Sequence, residues 1–202
     1  MPLEIEVKFY LPDTESFQRR LSVCDAELKT RASETNIRFE NPDNSLRQQK
    51  NLLRLRQADT ITLTYKSKPP EPDPDFKVHH EIEVIVNDFQ AMHRILESIG
   101  FHPAQIYEKK RETWLIKNTI LCVDQMPYGN FIEIEGAPEN IRTVSQDLGF
   151  VWKDRILFNY LEIFETLKQQ LSLPFSDVTF DHFKDTDIDF NQYLYLFKAG
   201  RP

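Results

Sequence analysis

Carboxylates and cations alternate with apolar residues in run after run of this sequence. An extended chain puts every second side chain on one face. In residues 3–9, Glu4, Glu6 and Lys8 fall on one face, with Leu3, Ile5, Val7 and Phe9 on the other. Arg54 and Arg56 alternate with Leu53 and Leu55, and Lys66 ends a Thr60, Thr62, Thr64 face opposite Ile61, Leu63 and Tyr65. Glu81 and Glu83 alternate with Ile82, Val84 and Val86. Lys109 and Arg111 lie opposite Trp114 and Ile116, Asp124 shares a face with Ile120 and Cys122, and Glu133 and Glu135 alternate with Ile132 and Ile134. These faces collect seven carboxylates and six cations.

Taken singly, each charged face is a solvated one, since charged residues are rarely buried. Taken together, the faces hold too little Ser, Asn and Gln for that. They suit a curved sheet with its charged side turned inward and its apolar side covered by helices. Such an interior is costly unless water, ions or ligand fill it. Clustered carboxylates are the hard oxygen donors that Mg²⁺ or Mn²⁺ prefers, and two acids at i and i+2 of a strand can reach one ion. Arg and Lys give charge-assisted hydrogen bonds to phosphate oxygens. An interior of both signs suits a polyanionic substrate that arrives with a divalent cation.

The elements that must position these groups are antiparallel strands interleaved with helices. Helical spacing predicts helices over 13–24, 88–99, 138–148 and 154–171; Gly100 and Gly149 stop the second and third. Glu-Ile-Glu recurs at 4–6, 81–83 and 133–135, each time ahead of an amphipathic helix, which suggests an internal duplication. Residues 40–51 and the proline-rich 69–77 are expected to be mobile polar loops. A body of residues 1–171 is expected to precede an extension, 172–202, with no clear period.

A chain of 202 residues is long enough for one unstapled core. With 25 Lys and Arg against 32 Asp and Glu, its net charge of −7 argues against a general nucleic-acid binder. No apolar run approaches a membrane span, and residues 1–11 show no secretory pattern. The two lone cysteines, Cys24 and Cys122, fit a reducing compartment, so a cytoplasmic location is expected. There is no P-loop, dinucleotide fingerprint or zinc spacing. His79 and His80 read as strand-edge residues rather than metal ligands, and Cys122 as a small wall residue. A homodimer is expected on base rate alone.

The ordered set Glu4-Ile5-Glu6-Val7-Lys8, Leu53-Arg54-Leu55-Arg56, Leu63-Thr64-Tyr65-Lys66, Glu81-Ile82-Glu83, Lys109-Lys110-Arg111, Asp124 and Glu133-Ile134-Glu135 resembles the CYTH superfamily, the triphosphate tunnel metalloenzymes. Asn159-Tyr160-Leu161-Glu162 is similar to the family's closing helix. The family holds class IV adenylyl cyclases, thiamine triphosphatases and inorganic triphosphatases, and the layout here is most similar to the cyclase-like group. The resemblance implies an α+β fold, a closed barrel of eight antiparallel strands with a charged interior and helices packed outside. It implies Glu4, Glu6, Glu133 and Glu135 as ligands for Mg²⁺ or Mn²⁺, with Asp124 as a further one. Lys8, Arg54, Arg56, Lys66, Lys109 and Arg111 would clamp a triphosphate, with Glu81 and Glu83 beside them. Glu6, Lys8 and Asp124 would act in catalysis. The expected reaction is hydrolysis of the terminal phosphate of ATP, inorganic triphosphate or thiamine triphosphate. Cyclisation of ATP to cyclic AMP is the alternative, and non-catalytic binding of polyphosphate or nucleotide a further one.

Overall fold

The computed structural model describes residues 2–69, 71–186 and 188–200. Eight antiparallel strands close into a barrel: β1 (Leu3–Tyr10), β2 (Glu27–Glu40), β3 (Leu52–Gln57), β4 (Ile61–Ser67), β5 (Lys77–Val86), β6 (His102–Ile116), β7 (Thr119–Met126) and β8 (Gly129–Glu135). Around the ring the order is β1-β5-β4-β3-β2-β6-β7-β8, and β8 pairs back onto β1. Closure leaves no open sheet edge along the ring.

Alternation sends the charged side chains into the lumen and the apolar ones outward. Val7, Phe9, Ile132 and Ile134 leave the lumen and are buried under α1 (Thr14–Leu21) and α4 (Pro138–Asp147), against Phe17, Leu21, Ile141 and Val144. Asp13 caps α1 by accepting from the Ser16 amide. A second cluster joins Phe39 and Leu55 to Leu96 of α3 (Phe89–Ser98), which Asp88 caps. The helical cover is partial. On the outer face of β5, Ile82 and Val84 stay about half exposed.

The structure adds a strand where alternation predicted none. β2 carries bulges between Leu28 and Thr30 and between Arg38 and Phe39, which break its period of two. The proline-rich stretch ends in a strand: β5 starts at Lys77, four residues before the alternation that begins at Glu81. Phe76 is buried in the core, and Arg155 hydrogen-bonds the Pro74 and Asp75 carbonyls. The loop at 40–51 contains a short helix, α2 (Ser45–Gln48).

The helix predicted over 154–171 starts later, as α5 (Tyr160–Leu171). Ile156 is held extended, its amide bonded to the Lys8 carbonyl at 2.7 Å and its carbonyl accepting from the Lys8 amide at 3.3 Å. α5 then opens on a capping box formed by Asn159 and Glu162.

The C-terminal segment packs on the barrel. The Val178 amide donates to Ile106 O at 2.8 Å and its carbonyl accepts from Glu108 N at 2.9 Å, on the stretch of β6 that precedes its pairing with β7. Phe183, Phe190 and Phe197 are buried with Phe131, Tyr160 and Phe164. Phe190 stacks on Phe197 with centroids 5.4 Å apart and meets Phe131 edge-on at 5.0 Å. Phe190→Ala is therefore expected to cost about 3–5 kcal/mol of stability. A loss below ~1 kcal/mol in chemical denaturation would show that the segment is dispensable to the core.

Candidate active site

The barrel gathers its acids on one wall. The three Glu-Ile-Glu strands, far apart in sequence, are consecutive in the ring as β8-β1-β5. Glu6 is directly opposite Glu135 on one side and Lys77 on the other, and Lys8 is opposite Glu133. The opposing wall, β4-β3-β2-β6, carries Lys66, Arg54, Arg56, Lys109 and Arg111. Together they line a cavity of about 790 Å³, the size of a small-molecule site.

Ion pairs order the deep part of the lumen. Asp124, fully buried, accepts from Arg111 Nε at 2.6 Å, from Lys109 Nζ at 3.2 Å and from the Tyr160 hydroxyl at 2.7 Å. Glu133 accepts from Lys8 Nζ at 2.8 Å and from Arg111 Nη2 at 2.5 Å. Burial works to raise the Glu133 pKa, but Lys8, Arg111 and Lys109 outweigh it and hold the carboxyl well below the usual range. Lys8 Nζ lies 4.2 Å from the centre of the Tyr160 ring and Lys109 Nζ 5.5 Å, so the first turn of α5 reaches the clamp. Burial, with Asp124 and Glu133 nearby, pushes the Tyr160 phenol well up and keeps it neutral.

The acid wall is less well compensated. Lys66 Nζ sits 2.5 Å from Glu4 and 2.6 Å from Glu81, and Lys77 pairs with Glu6. Glu135 has no ion pair among the described residues. Burial, then Glu4 and Glu6, raise its pKa to about 7. Glu83 accepts from Arg56 at 3.2 Å and from Thr64 at 2.6 Å, on the opposite flank of β5 from the Glu6–Glu135 pair.

Each of the thirteen side chains expected in the site faces the lumen, and five more join them. β2 contributes Glu34, Asn36 and Arg38; Glu34 lies 3.6 Å from Lys109 and 3.7 Å from Arg56. The alternation Glu34, Asn36, Arg38, Glu40 against Ile37 and Phe39 was there to be found. Lys77 was hidden in a proline-rich stretch. His79, expected at a strand edge, is 7% exposed and lines the cavity opposite Glu4. Burial, then Lys77 and Lys66, lower its pKa to about 3, so it is neutral. Cys122 is buried beside these groups, and burial raises its thiol to about 12, which fits a wall residue.

Glu34 gives a pH prediction. Burial raises its pKa, but Lys109, Arg111 and Arg56 prevail and bring it to about 2. Its folded pKa lies below the unfolded value, so it stabilises the fold above ~4.5 and that stability is lost as pH falls toward 2. Glu34→Gln is expected to cost on the order of 2–3 kcal/mol at pH 7 and to flatten the acid limb of stability. Urea titrations at pH 7, 4 and 3 check it; parallel curves for the two proteins would exclude the assignment.

The donor chemistry of the acid wall fits a divalent cation. Glu4, Glu6 and Glu135 are crowded carboxylate oxygens, one of them raised in pKa for want of positive charge. Among the described residues no three acidic or histidine side chains stand in ligating geometry, because ammonium groups occupy Glu4 and Glu6. Ligation requires Lys66 and Lys77 to turn toward substrate.

A barrel of antiparallel strands with a lumen lined on opposite walls by carboxylates and by Arg and Lys marks a class of protein rather than a single one. The CYTH domain model matches residues 2–155, so the chain belongs to the CYTH family. A protein of Methanocaldococcus jannaschii provisionally named an adenylate cyclase is 26% identical over 167 residues, covering 82% of this chain and 89% of that protein. The structure of a Vibrio parahaemolyticus protein provisionally named an adenylate cyclase superposes with a TM-score of 0.71 at 19% identity, covering 81% of this chain and 98% of the other. A Hippeastrum protein provisionally named an adenylyl cyclase, and described as having a dominant triphosphatase activity, superposes with a TM-score of 0.56 at 21% identity, covering 73% and 88%. The last two likenesses establish a common fold. No helix among the described residues is long and apolar enough to cross a membrane.

Proposed function

We propose that the protein binds a triphosphate in its lumen and hydrolyses the terminal phosphate with the help of Mg²⁺ or Mn²⁺. The observation that carries this reading is the polarised lumen: an under-compensated acid wall faces a wall of Arg and Lys across one cavity. A pure anion binder has no use for Glu4, Glu6 and Glu135. The relatives' names include both cyclase and triphosphatase, so the choice rests on this chain's own residues.

Glu4, Glu6 and Glu135 would hold the ion. A bound Mg²⁺ or Mn²⁺ would neutralise phosphate oxygens and acidify a water for in-line attack. Arg54, Arg56, Lys66, Lys109 and Arg111 would grip the phosphate chain and stabilise charge on the transferring and leaving groups, with Lys8 at the inner end. Asp124 and Glu133 are already engaged by cations, so we assign them to orienting Lys8, Lys109 and Arg111. The ammonium groups of Lys66 and Lys77 would leave carboxylates for phosphate as substrate enters, which couples metal and substrate binding.

Arg56 reaches Glu83, Thr62 and Glu34. Arg56→Ala is expected to weaken triphosphate binding by about 10- to 100-fold, the size of a charged hydrogen bond. Calorimetric titration of inorganic triphosphate checks it; unchanged affinity would place Arg56 outside the clamp.

One observation favours a second reading. Leu52, Leu157, Phe158 and Leu161 give the cavity an apolar stretch against which a nucleoside could lie. In that reading ATP is held so that its ribose 3′ oxygen attacks the α-phosphorus and pyrophosphate leaves. Incubation with ATP, inorganic triphosphate and thiamine triphosphate, each with Mg²⁺ or Mn²⁺, and separation of the products decides. Orthophosphate with a diphosphate product supports hydrolysis. Cyclic AMP with pyrophosphate supports the cyclase, and no metal-dependent turnover of any would move the weight to binding alone.

A further inference from the structure

Two arginines stand face to face on the cation wall. Arg38 of β2 and Arg54 of β3 are directly opposite in the register and both line the cavity, so their side chains enter side by side, ~4.5–5.5 Å apart at Cβ. Like charges in that position destabilise a sheet. Elsewhere in the lumen carboxylates answer the cations: Lys8, Arg56, Lys66, Lys77, Lys109 and Arg111 each hold one within 3.2 Å. This pair is poorly answered. Arg54 Nη2 reaches Glu83 only at 3.5 Å, and Arg38 Nη2 lies 3.8 Å from Glu40, beyond hydrogen-bond distance. The Nε of each is buried without a partner among the described residues. Burial lowers the Arg38 pKa and Glu40 does not restore it; at Lys66, Lys77 and Arg111 burial works the same way, but their carboxylates prevail. Arg38 is also placed at the α2 end of β2, four residues and ~13 Å along the strand from Glu34, the residue beside Lys109. Arg47 and Lys50 open onto the cavity at that end, Arg47 with Glu165 at 3.5 Å. Positive charge therefore runs past the clamp to the mouth.

We infer that Arg38 adds a subsite to the clamp: with Arg54 it takes a phosphoryl group beyond the three that the clamp would grip. The inference rests on the triphosphate reading above and extends it toward the α2 mouth. A tetrahedral oxyanion between the two guanidinium groups accepts charge-assisted hydrogen bonds from both and cancels their repulsion. A triphosphate that ends in an uncharged group leaves Arg38 unanswered. A fourth linked phosphate answers it, and so does an orthophosphate bound beside the triphosphate. The two sources share one chemistry and differ in whether the added phosphoryl group is tethered.

Calorimetric titration of the full chain with inorganic triphosphate, inorganic tetraphosphate and orthophosphate, without divalent metal and with Ca²⁺, tests it. If the group is tethered, tetraphosphate binds about tenfold tighter than triphosphate, the size of a charged hydrogen bond. Arg38→Gln then removes that advantage and changes triphosphate affinity by less than about twofold. If the group is free, orthophosphate binds to protein already saturated with triphosphate, and Arg38→Gln abolishes that second event. Arg38→Gln takes away one of two facing like charges, so the fold is expected to persist. The comparison of the three ligands is made on the unsubstituted protein and stands even if the variant folds poorly. Equal affinity for the two chains, with no orthophosphate bound beside triphosphate, would overturn the inference and leave the tunnel reading intact. An equal loss of triphosphate and tetraphosphate affinity in Arg38→Gln would also overturn it, by making Arg38 one more member of the three-phosphate clamp. Failure of triphosphate to bind under either condition would remove the triphosphate reading, and the inference with it.

Discussion

Arg111→Ala is expected to remove triphosphate turnover and to lower the melting temperature by about 10 °C. Arg111 joins two buried acids: its Nε and Nη2 hold Asp124, and Nη2 also holds Glu133. Both carboxylates are almost wholly removed from water, so losing the guanidinium leaves two charges with only Lys8, Lys109 and Tyr160 to share. Breaking a buried pair in this way costs about 3–5 kcal/mol, far more than the pair contributes over an apolar substitute. In a chain of this length each kcal/mol moves the melting temperature by about 2–4 °C. Activity falls for a separate reason. Arg111 lines the cavity, and in the proposed reading it would stabilise charge on the phosphate chain; removing one such preorganised donor costs on the order of 10²–10³ in rate. Arg111→Lys separates the two effects, because it keeps a charge but loses the fork that spans both acids. It is expected to recover part of the stability and little of the activity. A thermal melt of Arg111→Ala that overlays the parent protein would sink this reading of the lumen, since it would mean that Asp124 and Glu133 tolerate the loss.

Turnover in Glu135→Gln and Glu6→Gln is expected to fall by about 10³, the rate equivalent of several kcal/mol of metal-assisted charge stabilisation. Their apo stabilities should move in opposite directions. Glu135 stands opposite Glu6 with no ion pair among the described residues, and like charges facing each other across a strand pair destabilise. Neutralising Glu135 is expected to raise the apo melting temperature. Neutralising Glu6 relieves the same repulsion but strips Lys77 of its partner, so the net gain is smaller or reversed. Binding to the folded state alone raises stability by mass action, about 2.7 kcal/mol at a hundred times the dissociation constant. The parent protein should therefore be stabilised by Mn²⁺, and both variants should lose that response. Melts with and without Mn²⁺ check both halves. A variant that keeps full metal-dependent turnover would remove its carboxylate from the metal site.

Most of the strands were legible because their alternation is strict. β1 and β8 bury their apolar faces at Val7, Phe9, Ile132 and Ile134, β3 and β4 half-bury theirs, and every charged residue expected in the lumen is there. β2 was not legible: bulges shift its register twice, and the charged residues of its first half, Glu27, Lys29 and Arg31, are solvated. Losing β2 also lost Glu34 and Arg38. The start of α5 was misplaced because Ile156 and Leu157 continue its apolar spacing while a backbone pairing with Lys8 holds that stretch extended. The C-terminal segment has no period because its aromatics pack as isolated plugs from short helices rather than along one helix face.

By itself the sequence determined which faces carry charge, and through the ordered motifs it pointed to an inward-facing, triphosphate-binding barrel. Side-chain parity along an extended chain is a local property, so no partner strand is needed to read it. Only the tertiary structure decided that the three Glu-Ile-Glu strands stand side by side, which separates the lumen into an acid wall and a cation wall. The same holds for the guanidinium of Arg111 between Asp124 and Glu133, and for His79 beside Glu4. Those contacts join residues on different strands, and their energies depend on ring closure and register, which bring distant charges into one desolvated space.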